Sequence, residues 1–224
     1  MSAAAAGLAL PSFAKVSTAG ASPVFPADYR LRFAAEAAGR PAGEHCITVE
    51  RDARTARLLV RNESRLLLPQ RLPSGALTEP LAFEHLAEET WAEGWLQGLV
   101  SDSRIGRQRH HVRAWRQDQV LRGTRDGRSF SISGYLMTTS GWHRDTPKAE
   151  GLVDAVDGRL KRVHGLKQRS EPVPTGWGPV ETTRWTLIGE IERDFWYDGT
   201  GRLIRFALPA PSGIAVTATA AEQR

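Results

Sequence analysis

From Tyr29 onward the chain alternates apolar and polar residues in short runs separated by turns rich in glycine. Strict alternation marks a half-buried β-strand, because successive side chains of a strand point to opposite faces. Residues Tyr29–Glu36 read as a first strand, turned by Gly39–Gly43 into Glu44–Glu50. The clearest hairpin is Phe195–Phe206, two β-rich runs around Asp198, Gly199, Thr200 and Gly201, with weaker copies at Asp126–Arg128 and Asp157–Arg159. Tight turns of this kind join antiparallel strands, whereas parallel strands need long crossovers.

The same reading continues along the chain. Thr55–Leu68 is helical by propensity but is expected as a long strand from its neighbours, and Leu81–Trp91 fits helix and strand equally well. Further strands are expected within Gln108–Trp115, Gln119–Gly123, Arg128–Ser133, Gly151–Val156, Arg159–Val163, Thr183–Gly189, Arg193–Tyr197, Leu203–Phe206 and Ile214–Ala218. Three loops are expected, at Pro69–Pro80, Leu136–Pro147 and Glu171–Pro179. The fold class is therefore all-β: one antiparallel meander of about ten to twelve short strands curled into a barrel or roll, with at most one or two short helices. With 224 residues the chain suits one such domain, residues 27–219, after a leader of 1–26 and before a tail of 220–224.

Charge changes this picture little. The formal net charge is +5 and the pI near 9.9, which would suit an acidic partner. Yet Arg30 and Arg32 alternate with apolar residues, as a solvated strand face does, and no block of five or six basic residues occurs. Nucleic acid is not an expected partner. The single cysteine, Cys46, excludes an internal disulfide and is expected as a buried free thiol. The first fifteen residues hold an apolar, Ala-rich stretch ending in Ser12, Phe13 and Ala14, which resembles a truncated signal peptide lacking its positively charged start. Export to the periplasm is expected, with the cytoplasm as the alternative if that stretch is not a signal remnant. No run approaches the 18 or so apolar residues of a transmembrane helix.

Candidate chemistry is sparse. His110 and His111, adjacent on a strand, face opposite ways and cannot grip one metal together; a ligand role needs His85, Glu88 or His143 nearby. Glu88 and Glu89 beside Trp91 could supply a carboxyl group with a raised pKa, with Glu93 or Asp102 as a second carboxylate, the pair a glycosidase requires. No nucleophile elbow, His-Glu-x-x-His or P-loop occurs. No catalytic residue, metal or cofactor is assigned. Aromatic residues are the better lead: Trp142 and Trp177 in the two glycine-bearing loops, with His143 and Trp91, are the candidate ligand-binding residues. Either these tryptophans close over a ligand or they plug an end of the barrel. Trp91, with Trp95, Trp115, Trp185 and Trp196, is expected in the core.

Taken together, the exported start, the Tyr29–Cys46 hairpin with Gly39 and Gly43, the Glu88–Gly98 stretch around Trp91 and Trp95, and the closing Trp196–Ile204 hairpin resemble a domain-of-unknown-function family of bacterial exported proteins. The resemblance spans residues 28–218. It implies a curled antiparallel sheet or spiral β-barrel in the periplasm and carries over no catalytic residue. The expected function is a non-enzymatic envelope protein binding an apolar or amphipathic ligand, such as a lipid or glycolipid, or a partner protein. The alternative is an envelope hydrolase acting on polysaccharide or glycolipid.

Overall fold

The computed structural model describes residues 28–210 and 212–224; the leader of the sequence reading lies outside them. The first half of the chain is a meander of eight strands: β1 (Tyr29–Ala37), β2 (Arg40–Arg51), β3 (Leu58–Arg71), β4 (Leu77–Ala92), β5 (Trp95–Ile105), β6 (Gln108–Gln117), β7 (Val120–Arg125) and β8 (Arg128–Ser133). The second half adds β9 (Met137–Thr138), β10 (Gly151–Val153), β11 (Leu160–Thr175), β12 (Gly178–Gly189), β13 (Arg193–Asp198), β14 (Leu203–Pro209) and β15 (Ala215–Gln223). The one helical element among the described residues is a 3-10 turn at Thr146–Lys148.

All fifteen strands belong to one sheet, ordered β8-β7-β6-β5-β4-β3-β2-β1-β15-β14-β13-β12-β11-β10-β9. Neighbours are antiparallel except β9 and β10. The two halves meet at β1 and β15, paired from Leu31 with Gln223 to Ala37 with Val216. Flat, a sheet of this many strands would be roughly 65 Å wide at ~4.8 Å per strand. Yet its two edges, β8 and β9, are joined by residues 134–136 alone, which reach at most about 14 Å. The connection forces the sheet to curl on itself.

Alternation decides what lies inside the curl. On β1, Tyr29, Leu31, Phe33, Ala35 and Ala37 are buried and the residues between them are exposed. On β3, Leu58, Val60, Leu66 and Leu68 face in while Arg61 and Arg65 face out. Arg32 bridges Glu44 and Glu222 across three strands on the outer face, at 2.9 and 3.2 Å. Such exposed pairs contribute little stability and keep the surface polar. The β9–β10 edge lies within the curl: Ser103 of β5 donates to the Val156 carbonyl oxygen at 3.5 Å, and Gly158 packs against Val112 and Phe130.

Several expectations change. Leu81–Trp91, which fitted helix and strand equally, is strand, part of β4, because both its partners β3 and β5 are extended. The expected loop Pro69–Pro80 shrinks to the turn between β3 and β4, and Glu171–Pro179 becomes the tip of the β11–β12 hairpin, since paired partners satisfy the backbone there. Residues 220–223, read as tail, complete β15, and the Arg224 amide bonds to the Arg30 carbonyl oxygen at 3.0 Å. Cys46 is only partly buried: His45, Ile47 and Val49 take the inward positions of β2, leaving Cys46 outside, where the Arg30 guanidinium meets it. Trp115 is likewise on the outer face, 52% exposed, because Val112 and Ala114 point inward on β6.

Candidate functional site

The segment after β9 crosses the interior. Trp142, fully buried, packs edge-on against Trp91 of β4 with ring centres 5.5 Å apart. Both indoles donate to one carboxylate oxygen, Oε2 of Glu89, at 2.9 and 3.0 Å. Thr138 donates to the other oxygen at 2.9 Å, and Ser140 adds a further hydroxyl. Burial pushes the Glu89 carboxyl above its ordinary range, and these four donors offset only part of that rise. The Tyr197 hydroxyl pins the same segment by donating to the Gly141 carbonyl oxygen at 2.8 Å. Gly141 has φ +72°, and a Cβ there would lie 2.3 Å from Phe195, so only glycine fits. His143 is buried beside Trp142, its Nδ1 accepting the Asp145 amide at 3.2 Å; burial lowers its pKa to about 4.

The structure thus brings together three of the four sequence candidates, Trp91, Trp142 and His143, as the plug of the curl. Trp177 stands apart at the β11–β12 tip, 41% exposed. The carboxylates do not converge: Glu88 faces out and pairs with Arg61, Glu93 sits in the β4–β5 turn, and Asp102 bonds His111 on the outer face. His110 and His111 face opposite ways as expected, and no cluster of three metal-ligating residues exists among the described residues.

Beside the plug lies a cavity of about 310 Å³. Leu66, Leu68, Phe83, Phe206 and Leu208 form an apolar part of its wall; His45, Asn62, Ser64, His85, Thr139 and Arg193 form a polar part. Sequence reasoning missed this polar set apart from His85. His45 Nδ1 lies 2.8 Å from Ser64 Oγ, and His85 Nδ1 lies 2.8 Å from Ser103 Oγ. Burial, reinforced at His45 by His85 and at both by Arg193, depresses the two imidazoles, His45 to about 3 and His85 to about 4. Both are therefore neutral near pH 7. Arg193 Nη1 donates to the Thr139 carbonyl oxygen at 2.5 Å, and its guanidinium, too, is weakened as a base by burial. Asn62 is 1% exposed, and neither its Oδ1 nor its Nδ2 meets a partner among the described residues; the same holds for His45 Nε2. Ser64, His85 and His110 also line a wider, charged recess of about 770 Å³ that adjoins the cavity.

A family model for a domain of unknown function, DUF6134, matches residues 33–220. The chain belongs to this family. The matched span runs from β1 to β15 and so contains both the plug and the cavity of the DUF6134 chain. The curated proteins hold no match to it. Among solved structures it is similar to a β-barrel-like protein of domain of unknown function DUF1849 from Brucella abortus. The TM-score is 0.64 at 8% identity, over 89% of this DUF6134 chain and 98% of the other. At that identity the likeness concerns the fold.

Proposed function

We propose that this protein is a non-enzymatic binding protein of the cell envelope that holds one small amphipathic molecule in the cavity beside its plug. The observation that carries the reading is the cavity itself. Its size falls within the range of small-molecule sites, and its lining combines Leu and Phe side chains with a few polar groups. Trp91 and Trp142 support it indirectly, by closing the interior on one side while leaving the cavity beside them. Placement in the periplasm rests on the apolar leader ending at Ala14.

The test is titration of the full chain with the neutral dye N-phenyl-1-naphthylamine. Saturable fluorescence enhancement with one site per chain is expected, and it should vanish in Ser64→Phe, which fills the cavity from β3. Dye binding that is non-saturable, or unchanged in that variant while its melting temperature stays close to wild type, would refute the reading. Cell fractionation tests the compartment: recovery in the cytoplasm would remove the envelope from the proposal.

A further inference from the structure

The charged groups around the cavity differ in how closely they are paired. Asp154 accepts from Thr139 Oγ1 and from the Val156 amide, and Asp157 accepts from the Arg159 amide. Lys161 lies 3.9 Å from Asp154 and 3.5 Å from Asp157, and Arg159 lies 3.7 Å from Asp157. Both lining carboxylates therefore have cationic neighbours. Arg193 feels the Asp154 carboxylate but makes no ion pair within 4 Å among the described residues, and its one side-chain hydrogen bond there goes to a backbone carbonyl. A guanidinium carries five N–H donors. The same lining holds the unpartnered amide of Asn62 and the unpartnered Nε2 of His45, both on side chains more than nine-tenths buried. Unsatisfied buried polar atoms cost stability, and native proteins retain them where something else completes them. Leu66 and Leu68, further along β3 from Asn62, and Phe206, against the His45 ring, add apolar surface to the same lining.

We infer that the cavity takes a medium-chain carboxylic acid, its carboxylate on Arg193 and Asn62 and its alkyl chain against Leu66, Leu68, Phe83 and Phe206. This rests on the reading of the cavity as a ligand site and adds the chemistry of the ligand's head. Arginine suits a carboxylate because its planar fork matches the two oxygens, and that bond is strongest where water is excluded. Amide N–H groups such as those of Asn62 Nδ2 donate to the same acceptor. At 310 Å³, about ten water-sized units of ~30 Å³, the cavity has room for an eight-carbon acid.

The experiment is calorimetric titration of the full chain at pH 7.5 with octanoate, 1-octanol and octylammonium, which share a tail and differ in the head. Octanoate should bind about 10- to 100-fold more tightly than octanol, with octylammonium weakest. Arg193→Met should bring octanoate down to the level of octanol and leave octanol unchanged. Arg193→Lys, which keeps the charge and loses the fork, should fall between. The head-group series in the wild type stands on its own if a variant fails to fold, as read by circular dichroism. If octanol binds and octanoate binds no better, the carboxylate assignment is overturned while the cavity remains a ligand site, and the unpartnered groups are completed by ordered water only. If neither octanol nor octanoate binds, the ligand site itself is overturned. A preference for octanoate that survives Arg193→Met would also overturn the assignment.

Discussion

Glu89→Leu should be among the most damaging single substitutions in this fold, and Glu89→Gln among the mildest at a fully buried charge. Leucine removes the acceptor shared by the Trp91 and Trp142 indoles and the partner of the Thr138 hydroxyl. Two buried N–H groups are then orphaned, each costing about 1–3 kcal/mol. Thr138 retains Ser140, 2.6 Å away, so it adds less. The total is about 2–6 kcal/mol, or a fall in Tm of roughly 5–20 °C for a domain of this size. Glutamine keeps one oxygen for both indoles, and its amide can donate to Thr138. It also removes a charge that burial disfavours, so its cost should stay below about 1 kcal/mol. The sign with pH follows from the raised Glu89 carboxyl: its folded pKa lies above the unfolded value. Wild type should therefore lose stability relative to Glu89→Gln as pH rises through that raised pKa, and the two should converge below the unfolded pKa. Urea unfolding followed by tryptophan fluorescence between pH 4 and 8 measures both. Equal destabilisation by leucine and glutamine would refute the acceptor role of Glu89 and reduce the plug to apolar packing.

The depressed imidazoles of His45 and His85 should make the protein sensitive to mild acid. Between the unfolded pKa near 6.5 and the folded values of about 3 and 4, unfolding takes up protons, so stability falls with pH. By pH 5 each contributes a loss of about 2 kcal/mol, and flat urea midpoints from pH 6.5 to 4.5 would contradict this. Gly141→Ala should cost roughly 1–3 kcal/mol in chemical denaturation, because its Cβ strikes Phe195 and its φ is positive; an unchanged midpoint would show that the plug yields easily. Trp177→Ala should leave both Tm and dye affinity within error, since this residue is at an exposed hairpin tip away from the cavity; a weakened dye titration would restore it as a binding residue.

The strands could be read from sequence because burial has a period of two: Tyr29, Leu31 and Phe33 declare their face without help from distant residues. Leu81–Trp91 could not, since its extended form is imposed by β3 and β5 on either side. The pairing of β1 with β15 was equally hidden, because nothing local specifies a partner about 190 residues away. In the site, glycine neighbours placed Trp142 and Trp177 in the same class, yet one is the plug and the other a hairpin tip. A usable signal was passed over: Asn62 and Ser64 interrupt the inward series Leu58, Val60, Leu66 and Leu68, and His45 precedes Ile47 and Val49 in phase. Polar residues on an inward phase mark a place where the interior is not simply oil. Arg193 carried no such mark, because only the curl brings β13 opposite β3.

Joining β15 to β1 in thought turns the strand order into an unbroken walk from β9 through β15 and on through β1 to β8. The molecule is thus a circular permutant of a sheet in which each strand pairs with the next, cut at the middle of the walk instead of at its edges. Its central seam can zip up only after nearly the whole polypeptide is present, a long-range closure that slows folding. Moving the cut to residues 134–136 and bridging Arg224 to Asp28 would make every sheet pairing local in sequence. Such a rewired chain would keep the same interior and lose the wait.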